Sequence, residues 1–367
     1  MSSKIVVFHY YPIEGYPPVQ NLLNLKRFQE KVSLTCMTTK GNHNYNYKNP
    51  YIKIIYLGNS DATGKFKSLK RYFSYLLFNI VGFISLLYKR PSSIIYYETI
   101  SAFPALLYKY IFPSTQLYVL YHEYTSKEEY LKGPSLVRMI HKLEIKSYEK
   151  VNWISHTNTD RRKLFSKDYD ISIDKISCLP NYPPSSWLSS TKNLIKTKNK
   201  CKFVYVGYTI DNYSMYIDEM VNVISGNSDF SLDFYLLKTP SNIVKEIHAK
   251  GLSNRIQFKS GLAYNDLPLI LGHYDVGIIL YRGLTKNYIY NAPNKLFEYL
   301  ACGLSVWYPK VMLGITPYKS TRIREVDFDS SDILRLNVSD YCEGDTINYD
   351  NFTAEKAFKD LMDRLIG

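Results

Sequence analysis

The sequence predicts an α/β protein built of two domains, each with a doubly wound parallel sheet. Short apolar strands alternate with helical stretches in both halves of the chain, as in parallel sheets covered by helices. The length of 367 residues exceeds the size at which one hydrophobic core stops growing. A Pro-rich and Lys/Asn/Thr-rich stretch near residue 190 interrupts the alternation. We therefore expect a first domain at 1–188, a linker at 189–202 and a second domain at 203–367, whose last helix is a candidate for packing back on the first domain.

The first half opens with a strand, a loop and a helix. Residues 4–10 are apolar enough for a buried strand, a Pro/Gly loop follows, and residues 19–30 have the pattern of a helix. Further strands of the first half are expected at 32–37, 52–57, 94–97 and 117–121. The second series is expected at 203–206, 234–237, 256–258, 276–280 and 305–308.

The five cysteines are scattered singly, and neither they nor the histidines show a metal-ligand spacing. This usage is typical of a reducing compartment, and the chain starts with a strand rather than a secretory leader. We expect a cytoplasmic protein that needs no metal ion and no other cofactor.

The positive charge is concentrated in the first half. Residues 1–202 contain 30 Lys+Arg and 13 Asp+Glu, or +17, whereas residues 203–367 contain 16 and 20, or −4. Nucleic acid, an anionic membrane face, a polyanionic substrate or a merely solvated lysine-rich surface would each be compatible with this excess. The 36 Tyr and 17 Phe residues favour the membrane, because aromatic and basic side chains suit the lipid headgroup zone.

The segment 72–88 has no charged residue and is bracketed by Lys70-Arg71 and Lys89-Arg90. Its apolar length is at or below the lower limit for a membrane span. It also falls where an α/β domain needs a helix between two strands. A helix packed partly on its sheet and partly against a membrane is the preferred interpretation, with a fully buried helix and a span as alternatives.

The segment 291–306 predicts an anion site at the start of a helix. Asn291 is a good N-cap and Pro293 suits the first turn, so free backbone N–H groups would face a ligand such as a diphosphate. Asn294, Lys295 and Glu298 are three and four residues apart and therefore share one face of this helix.

Two further positions follow predicted strands. His122 comes after the strand at 117–121, at the edge where sites form in open parallel sheets, and a near-neutral pKa would permit proton transfer there. Gly207 opens the second domain where backbone can approach a phosphate. A loop-capping histidine and a simple glycine turn are the alternatives, since no G-x-G-x-x-G pattern is present.

Three segments together resemble the donor domain of GT-B glycosyltransferases, most closely retaining glycosyltransferase family 4. They are 293–303 (PNKLFEYLACG), 274–280 (YDVGIIL) and 259–267 (KSGLAYNDL). Segments 151–156 and 175–181 are similar to the last strands before that family's linker. The resemblance implies the GT-B fold, with two Rossmann-like domains facing each other across a cleft.

The resemblance also implies roles in donor binding. Glu298 matches the second Glu of the family's E-x7-E motif, which holds the nucleotide ribose. Gly261 and Leu262 would meet the base, and Asn294 and Lys295 would face the diphosphate. Lys295 would also stabilise the leaving phosphate without a metal ion.

On the first domain, the resemblance places His122 beside the donor sugar and Gly15 in the loop facing the acceptor. His122, Lys295 and Glu298 are therefore the expected catalytic residues.

The chain departs from the family pattern at two donor positions. Tyr290 replaces the first Glu of the motif, and Tyr208 stands where a basic residue is usual. Lys295 and Arg282 are the nearest candidates for phosphate contacts, and Asn291 is a candidate for contacts to the sugar.

The sequence therefore predicts a bacterial hexosyltransferase that uses a nucleoside diphosphate sugar, with UDP preferred, and a lipid-linked or oligosaccharide acceptor. The expected setting is capsule or surface polysaccharide biosynthesis, with the enzyme peripheral at the inner face of the cell membrane. The first alternative is a degenerate GT-B protein that binds a nucleotide sugar or a partner transferase without catalysis. A nucleotide-sugar epimerase and a basic nucleic-acid-binding protein are further alternatives.

Overall fold

The computed structural model describes residues 3–41, 47–64, 66–189, 200–330 and 351–366. The chain forms two compact units. Unit 1 comprises Met1–Asn181 and Ala354–Gly367, and unit 2 comprises Tyr182–Thr353. Each unit has its own parallel sheet, so the prediction of an α/β protein with two parallel-sheet domains is confirmed.

The sheet of unit 1 has seven strands in the order β3-β2-β1-β4-β5-β6-β7. They are β1 (Ser3–Phe8), β2 (Val32–Lys40), β3 (Lys53–Asn59), β4 (Ser93–Tyr97), β5 (Gln116–Leu120), β6 (Trp153–His156) and β7 (Ile176–Cys178). The strand order reverses between β1 and β4. In open parallel sheets, the carboxyl ends of two such strands flank the crevice in which ligands bind.

The sheet of unit 1 is buried on both faces. Ile5 and Val7 of β1 belong to one core cluster, whereas Val6 and Phe8 belong to another. This explains why its strands read as continuous apolar runs rather than as alternating patterns. In the first segment of unit 1, up to Asn181, the helices are α1 (Pro17–Leu23), α2 (Lys26–Lys31), α3 (Lys67–Lys89), α4 (Phe103–Ile111), α5 (Lys127–Lys132), α6 (Ser135–Ile145) and α7 (Thr159–Tyr169).

The single helix predicted at 19–30 is wrong, since α1 and α2 are separate helices. Asn24 ends α1, and Leu25 takes an extended conformation with its side chain buried. Burial of Leu25 in the core therefore outweighs continuation of the helix.

The sheet of unit 2 has six strands in the order β10-β9-β8-β11-β12-β13. They are β8 (Cys201–Gly207), β9 (Phe230–Leu236), β10 (Ile256–Ser260), β11 (Val276–Ile278), β12 (Ser305–Pro309) and β13 (Ile323–Val326). The helices are α8 (Ser186–Ser189), α9 (Ile217–Gly226), α10 (Ser241–Ala249), α11 (Leu267–Leu271), α12 (Lys286–Ile289) and α13 (Asn294–Ala301). The switch in strand order lies between β8 and β11.

The first boundary between the units falls after Asn181, earlier than the predicted residue 188. Aromatic packing explains the difference. The ring of Tyr182 lies 4.6 Å from that of Phe297, and the ring of Trp187 lies 4.8 Å from that of Tyr264, so both belong to the core of unit 2. Of the predicted linker at 189–202, residues 190–199 lie outside the described residues, and β8 already begins at Cys201.

The chain returns to unit 1 after Thr353 through α14 (Ala354–Ala357) and α15 (Lys359–Ile366). Phe358, Leu361 and Leu365 are buried in the same core cluster as Ile5 and Val7 of β1. The second domain therefore ends before the predicted residue 367, and the last helix packs on the first domain, as expected for this candidate from the sequence.

Candidate functional site

The carboxyl edge of the unit 2 sheet brings two predicted glycines together. Gly207 ends β8 and Gly261 follows β10, on either side of Leu237, which follows β9. The Leu237 N–H donates to the Gly207 carbonyl at 3.3 Å. A Cβ on Gly261 would lie 2.6 Å from the Leu237 side chain, so a larger residue there would require that side chain to shift. The edge thus presents backbone that a flat ligand could approach closely.

Tyr208 and Leu262 continue from these glycines. The Tyr208 side chain is 65 % exposed, and its carbonyl accepts a hydrogen bond from the Lys238 N–H at 2.8 Å. Leu262 is partly buried against the core cluster that contains Phe297 and Tyr264. A phenol carries no positive charge, so Tyr208 cannot replace the basic residue that the resemblance leads one to expect at this edge.

Helix α13 begins at Asn294, so the prediction that Asn291 caps it is wrong. Pro293 is the N-cap residue and makes no side-chain capping bond. The reason is that Thr285 caps the separate turn α12, which leaves residues 290–293 as a connection between two helices. Asn291 and Asn294 are half-buried at the start of α13.

Lys295 lies among aromatic rings at the end of β8. Its Nζ is 3.2 Å from the Tyr281 Oη and 5.3 Å from the centroid of the Tyr205 ring. Tyr205 is also the side chain that a Cβ on Gly207 would meet. The ring of Tyr281 stacks on that of Tyr288 with centroids 4.9 Å apart. The ammonium group is therefore held close to the glycine edge by contacts with tyrosines.

Glu298 lies one turn after Lys295 and is only 6 % exposed. Burial raises the pKa of its carboxyl to about 7, and the charge of Lys295 partly opposes this. No described residue donates a hydrogen bond to this carboxylate, although buried acceptors are normally paired. The helix itself is fixed to β8, because the Val206 N–H donates to the Tyr299 hydroxyl at 3.0 Å. A buried carboxylate with unused acceptor capacity is suited to ligand hydroxyl groups.

Arg282 is engaged in contacts within unit 2. Its guanidinium donates twice to the Glu219 carboxylate, at 2.7 and 2.8 Å, and stacks on the Tyr216 ring at 4.3 Å. A contact between Arg282 and the donor stays a prediction, and it would have to compete with this ion pair. Tyr290 is the residue that follows α12. A Cβ on Gly314 would overlap the Tyr290 carbonyl group, so the backbone is tightly packed between α12 and α13.

His122 follows β5 in unit 1 and is 9 % exposed. Burial, together with the charges of His9 and Arg161, lowers the pKa of its imidazole to about 3. The expectation of a near-neutral pKa is thus wrong, since the ring is neutral at physiological pH. The ring lies 4.7 Å from that of Tyr97, and the Arg161 guanidinium donates to the His122 carbonyl.

Glu98 is a candidate that sequence reasoning missed. It follows β4, and its carboxylate accepts hydrogen bonds from the backbone N–H groups of His122, at 2.7 Å, and Glu123, at 3.0 Å. Burial and the neighbouring Glu123 raise its pKa to about 8. Its φ of 60° and ψ of 151° are a conformation that side chains rarely adopt. The available signal was an acidic residue directly after a fully apolar strand.

Gly15 ends a short 3-10 helix (Ile13–Gly15) after β1 and is exposed. The ring of the next residue, Tyr16, lies 4.4 Å from that of His9, which in turn lies 5.8 Å from Tyr97. These rings connect the Gly15 loop to His122 at the point where the strand order of unit 1 reverses.

Comparison with known proteins gives structural matches only. No protein-family model and no curated sequence matches the chain. A lipopolysaccharide outer core galactosyltransferase has 13 % identity and a TM-score of 0.61, covering 100 % of this chain and 99 % of its own. Sucrose-phosphate synthase from Thermosynechococcus elongatus has 14 % identity and a TM-score of 0.62, covering 100 % and 95 %. A glycosyltransferase from Rickettsia africae has 11 % identity and a TM-score of 0.66, covering 99 % and 98 %.

The chain has the GT-B fold. The matches cover nearly the whole chain, so the fold implied by the resemblance is confirmed, whereas membership of family 4 stays a prediction. In this GT-B protein, the described residues contain no cluster of three or more His, Cys, Asp or Glu side chains that could hold a metal ion. The two groups of candidate residues follow strands at the carboxyl edge of each unit's sheet, as Rossmann-like domains place their sites.

Proposed function

We propose that the protein transfers a hexose from a nucleoside diphosphate sugar, with UDP as the first candidate nucleotide, to a lipid-linked or oligosaccharide acceptor in surface polysaccharide biosynthesis. The observation that carries this proposal is the pair Lys295 and Glu298 on α13. A buried carboxylate without a described donor lies one turn from an ammonium group, beside close backbone at the strand ends. A ribose diphosphate offers hydroxyl donors for the carboxylate and negative charge for the ammonium group.

In this proposal, the ribose hydroxyls donate to Glu298, and their hydrogen bonds replace the water lost on burial. Lys295 balances the charge that develops on the diphosphate as the bond to the sugar breaks, which requires no metal ion. The contacts to Tyr205 and Tyr281 restrict the ammonium group before the donor arrives. Asn294 at the first turn of α13 is the further candidate for the phosphates, and Gly261 with Leu262 for the base.

His122 acts in this proposal as a neutral hydrogen-bonding group toward the donor sugar, because its low pKa excludes a charged imidazolium at neutral pH. Glu98 fixes the backbone of His122 through a direct hydrogen bond. Retention of the anomeric configuration is proposed from the resemblance to family 4.

A lipid-linked acceptor and a peripheral position at the inner face of the cell membrane complete the proposal. One structural neighbour acts on lipopolysaccharide by its name. The positive charge of residues 1–202 and a long apolar helix in unit 1 support a membrane surface as the place of work.

A degenerate GT-B protein that binds a nucleotide sugar without catalysis is the second candidate. Tyr290 supplies no carboxylate, and Arg282 is paired with Glu219, so the donor site has fewer charged groups than the resemblance implies. This candidate predicts nucleotide binding without turnover in the presence of any acceptor extract.

Calorimetric titration with UDP, GDP, ADP and CDP, with and without magnesium, tests the proposal. We expect one diphosphate to bind selectively and independently of the metal. Glu298→Ala should weaken it by about 1.5–3 kcal/mol, because hydrogen bonds to a buried charge are lost. Glu246→Ala, at an exposed position on α10, is the matched control. Unchanged affinity in Glu298→Ala would refute the ribose assignment, and transfer of labelled hexose to a membrane extract would distinguish an enzyme from a degenerate binder.

A further inference from the structure

Helix α3 exposes an apolar face on the side away from its sheet. Tyr75, Phe78, Gly82 and Leu86 are buried, at the spacing of one helix face. The opposite positions are Phe73 (57 % exposed), Leu77 (46 %), Ile80 (50 %), Ile84 (56 %) and Leu87 (39 %). A surface helix normally presents polar residues there, yet no charged residue occurs between Arg71 and Lys89.

The buried face anchors α3 to the core of unit 1. The ring of Phe78 lies 5.8 Å from Phe8 and 5.3 Å from Tyr10. At Gly82 the helix backbone approaches Phe8 so closely that a Cβ would lie 2.8 Å from its ring. The helix has the length and composition of a membrane span, but 33 % of its apolar window is buried inside the protein. Spanning would require removal of Phe78 from the core, so contact through the outer face is favoured.

Neighbouring helices enlarge the apolar surface. The charge of Arg90 acts on Tyr108, which places the end of α3 near the end of α4, where Tyr110, Ile111 and Phe112 are exposed. On the other side, a groove of about 160 Å³ separates α3 from α6. Met139 of α6 lines this groove and is 49 % exposed.

Basic residues surround this surface. From Lys67 to Phe112 the chain contains six basic residues and one acidic residue, Glu98, whose carboxylate accepts hydrogen bonds from two backbone N–H groups. Lys67 and Lys70 are exposed in the first turn of α3, and Lys89 and Arg90 end it. A second copy docked through the same face would bring these cations together, whereas an anionic lipid surface would neutralise them.

We propose that this docking face, made of the outer face of α3 with residues 110–112 and Met139, lies in the plane of an anionic lipid bilayer. The apolar side chains enter the boundary between headgroups and acyl chains, and the lysines at both ends of α3 contact the headgroups. This membrane contact would bring the protein to a lipid-linked acceptor. The choice of that acceptor rests on the proposed function.

The position of α3 gives the docking a functional consequence. The Tyr10 hydroxyl, just after β1, donates to the Arg71 carbonyl, and the Tyr75 hydroxyl donates to the Ile100 carbonyl just after β4. The first half of α3 is therefore next to the carboxyl edge that carries Glu98. A bilayer against α3 would place lipid headgroups beside this edge. An acceptor anchored in the membrane could then reach the edge.

Flotation with liposomes tests the docking face. Vesicles of phosphatidylcholine alone are compared with vesicles that also contain phosphatidylglycerol, at low and high salt. We expect the protein to float only with the anionic vesicles and less at high salt. Lys67→Gln/Lys70→Gln should lower the lipid partition coefficient roughly thirtyfold, since two lysines near an anionic surface contribute about 1 kcal/mol each and about 1.4 kcal/mol is a factor of ten. Leu77→Gln/Ile80→Gln/Ile84→Gln should lower it at least about tenfold, because three apolar side chains no longer enter the bilayer. Leu269→Gln/Leu313→Gln and Lys245→Gln/Lys250→Gln alter exposed residues of unit 2 and should bind like the parent.

Orientation is tested separately by fluorescence. The chain has three tryptophans, at positions 153, 187 and 307, and all are buried. Ile84→Trp should be quenched by brominated lipid, whereas Leu269→Trp should not. The proposal would be overturned if the triple-glutamine variant floated as well as the parent protein. It would also be overturned if brominated lipid quenched Leu269→Trp but not Ile84→Trp. Self-association that the triple variant abolishes, without lipid binding, would identify a second copy as the occupant and overturn it too. UDP binding by the same variants distinguishes this failure from failure of the proposed function.

Discussion

Glu298 is a buried carboxyl group whose charge changes near neutral pH. In the absence of ligand its pKa is raised to about 7, so a large fraction is protonated below that value. Ribose hydroxyls donate best to the ionised form, so binding should expel the proton. We expect the affinity for a UDP-hexose to rise between about pH 6 and pH 8, by up to tenfold per pH unit below the pKa, and then to level off.

The donor sugar is the correct probe for this experiment, because its diphosphate carries no group that titrates in the same range. Glu298→Gln has the same size and no titration at this position. Its weaker affinity should be independent of pH, as measured by calorimetry in buffers of different ionisation enthalpy. A parent affinity that stays constant across the range would contradict the assignment of Glu298 to the ribose.

Glu98 combines an unusual backbone conformation with two hydrogen bonds that its carboxylate accepts from backbone N–H groups. Its φ of 60° and ψ of 151° cost about 1–3 kcal/mol in a residue with a side chain, so the surrounding structure must hold it there. Both Glu98→Ala and Glu98→Gly lose the bonds to His122 and Glu123, but only the glycine relieves the strain. We expect the free energy of unfolding of the glycine variant to exceed that of the alanine variant by about 1–2 kcal/mol, after the larger unfolded-state entropy of glycine is counted. Urea unfolding followed by circular dichroism measures the difference, and equal stabilities would show that no strain is stored.

The carboxyl group of Glu98 also links stability to pH. Its pKa rises from the ordinary value near 4.5 to about 8 on folding, so the folded state holds a proton that the unfolded state loses. The free energy of unfolding should therefore fall as pH increases between those two values. Glu98→Gln removes this dependence, and the comparison of parent and variant across that range isolates it from other groups. If the free energy of unfolding varied with pH in the same way in the parent and in Glu98→Gln, Glu98 would be ionised in the folded protein.

At the scale of elements, the turn between α12 and α13 is fixed by close backbone packing. A Cβ on Gly314 would lie 2.4 Å from the Tyr290 backbone, which cannot move without displacing Asn291. We expect Gly314→Ala to destabilise unit 2 by about 1–3 kcal/mol and to weaken donor binding through the displaced start of α13. Gly226→Ala is the control, because nothing lies within 4 Å of its added methyl group. Donor affinity equal to that of the control would show that the turn does not position the site.

The elements most easily predicted from the sequence were the strands. Both sheets are buried on two faces, so their strands appear as short apolar runs separated by polar loops. All ten predicted strands overlap observed strands. Helix boundaries were harder to predict. Asn291 has the chemistry of an N-cap, but it lies in the connection between α12, which Thr285 caps, and α13, which Pro293 precedes. Local preference alone does not decide between these alternatives.

The roles of the candidate site residues stay predictions, but the positions of some of these residues can be compared with the sequence patterns. Lys295 and Glu298 were found because their spacing defines one helix face. The ion pair of Arg282 with Glu219 was not predictable, because Glu219 is distant in sequence and meets Arg282 only in the folded unit. The pKa of His122 was misjudged for the same reason, since burial and Arg161 lower it. Properties that depend on a residue's tertiary neighbours were not visible in the sequence.

At the scale of the whole molecule, the chain passes from unit 1 to unit 2 after Asn181 and returns after Thr353. Unit 1 therefore depends on residues from both ends of the chain. The return is fixed by apolar packing, since Phe358, Leu361 and Met362 are at most 3 % exposed within the core cluster of β1. On the surface, the Arg27 guanidinium and Asp363 carboxylate, 3.0 Å apart, are both about half exposed and contribute little.

This connectivity predicts that a substitution near the C-terminus destabilises the N-terminal unit. Leu361 is fully buried in the core of unit 1, so Leu361→Ala should lower the free energy of unfolding of that unit by about 2–5 kcal/mol. Unit 2 has separate core clusters, so donor binding by α13 should be retained. Hydrogen exchange resolved by peptide measures both effects in one sample. Faster exchange is expected in β1 and β5 but not in β8 and β11, whereas Leu269→Ala, at an exposed position, should leave all four strands unchanged. Faster exchange confined to unit 2 would contradict the assignment of α15 to the core of unit 1.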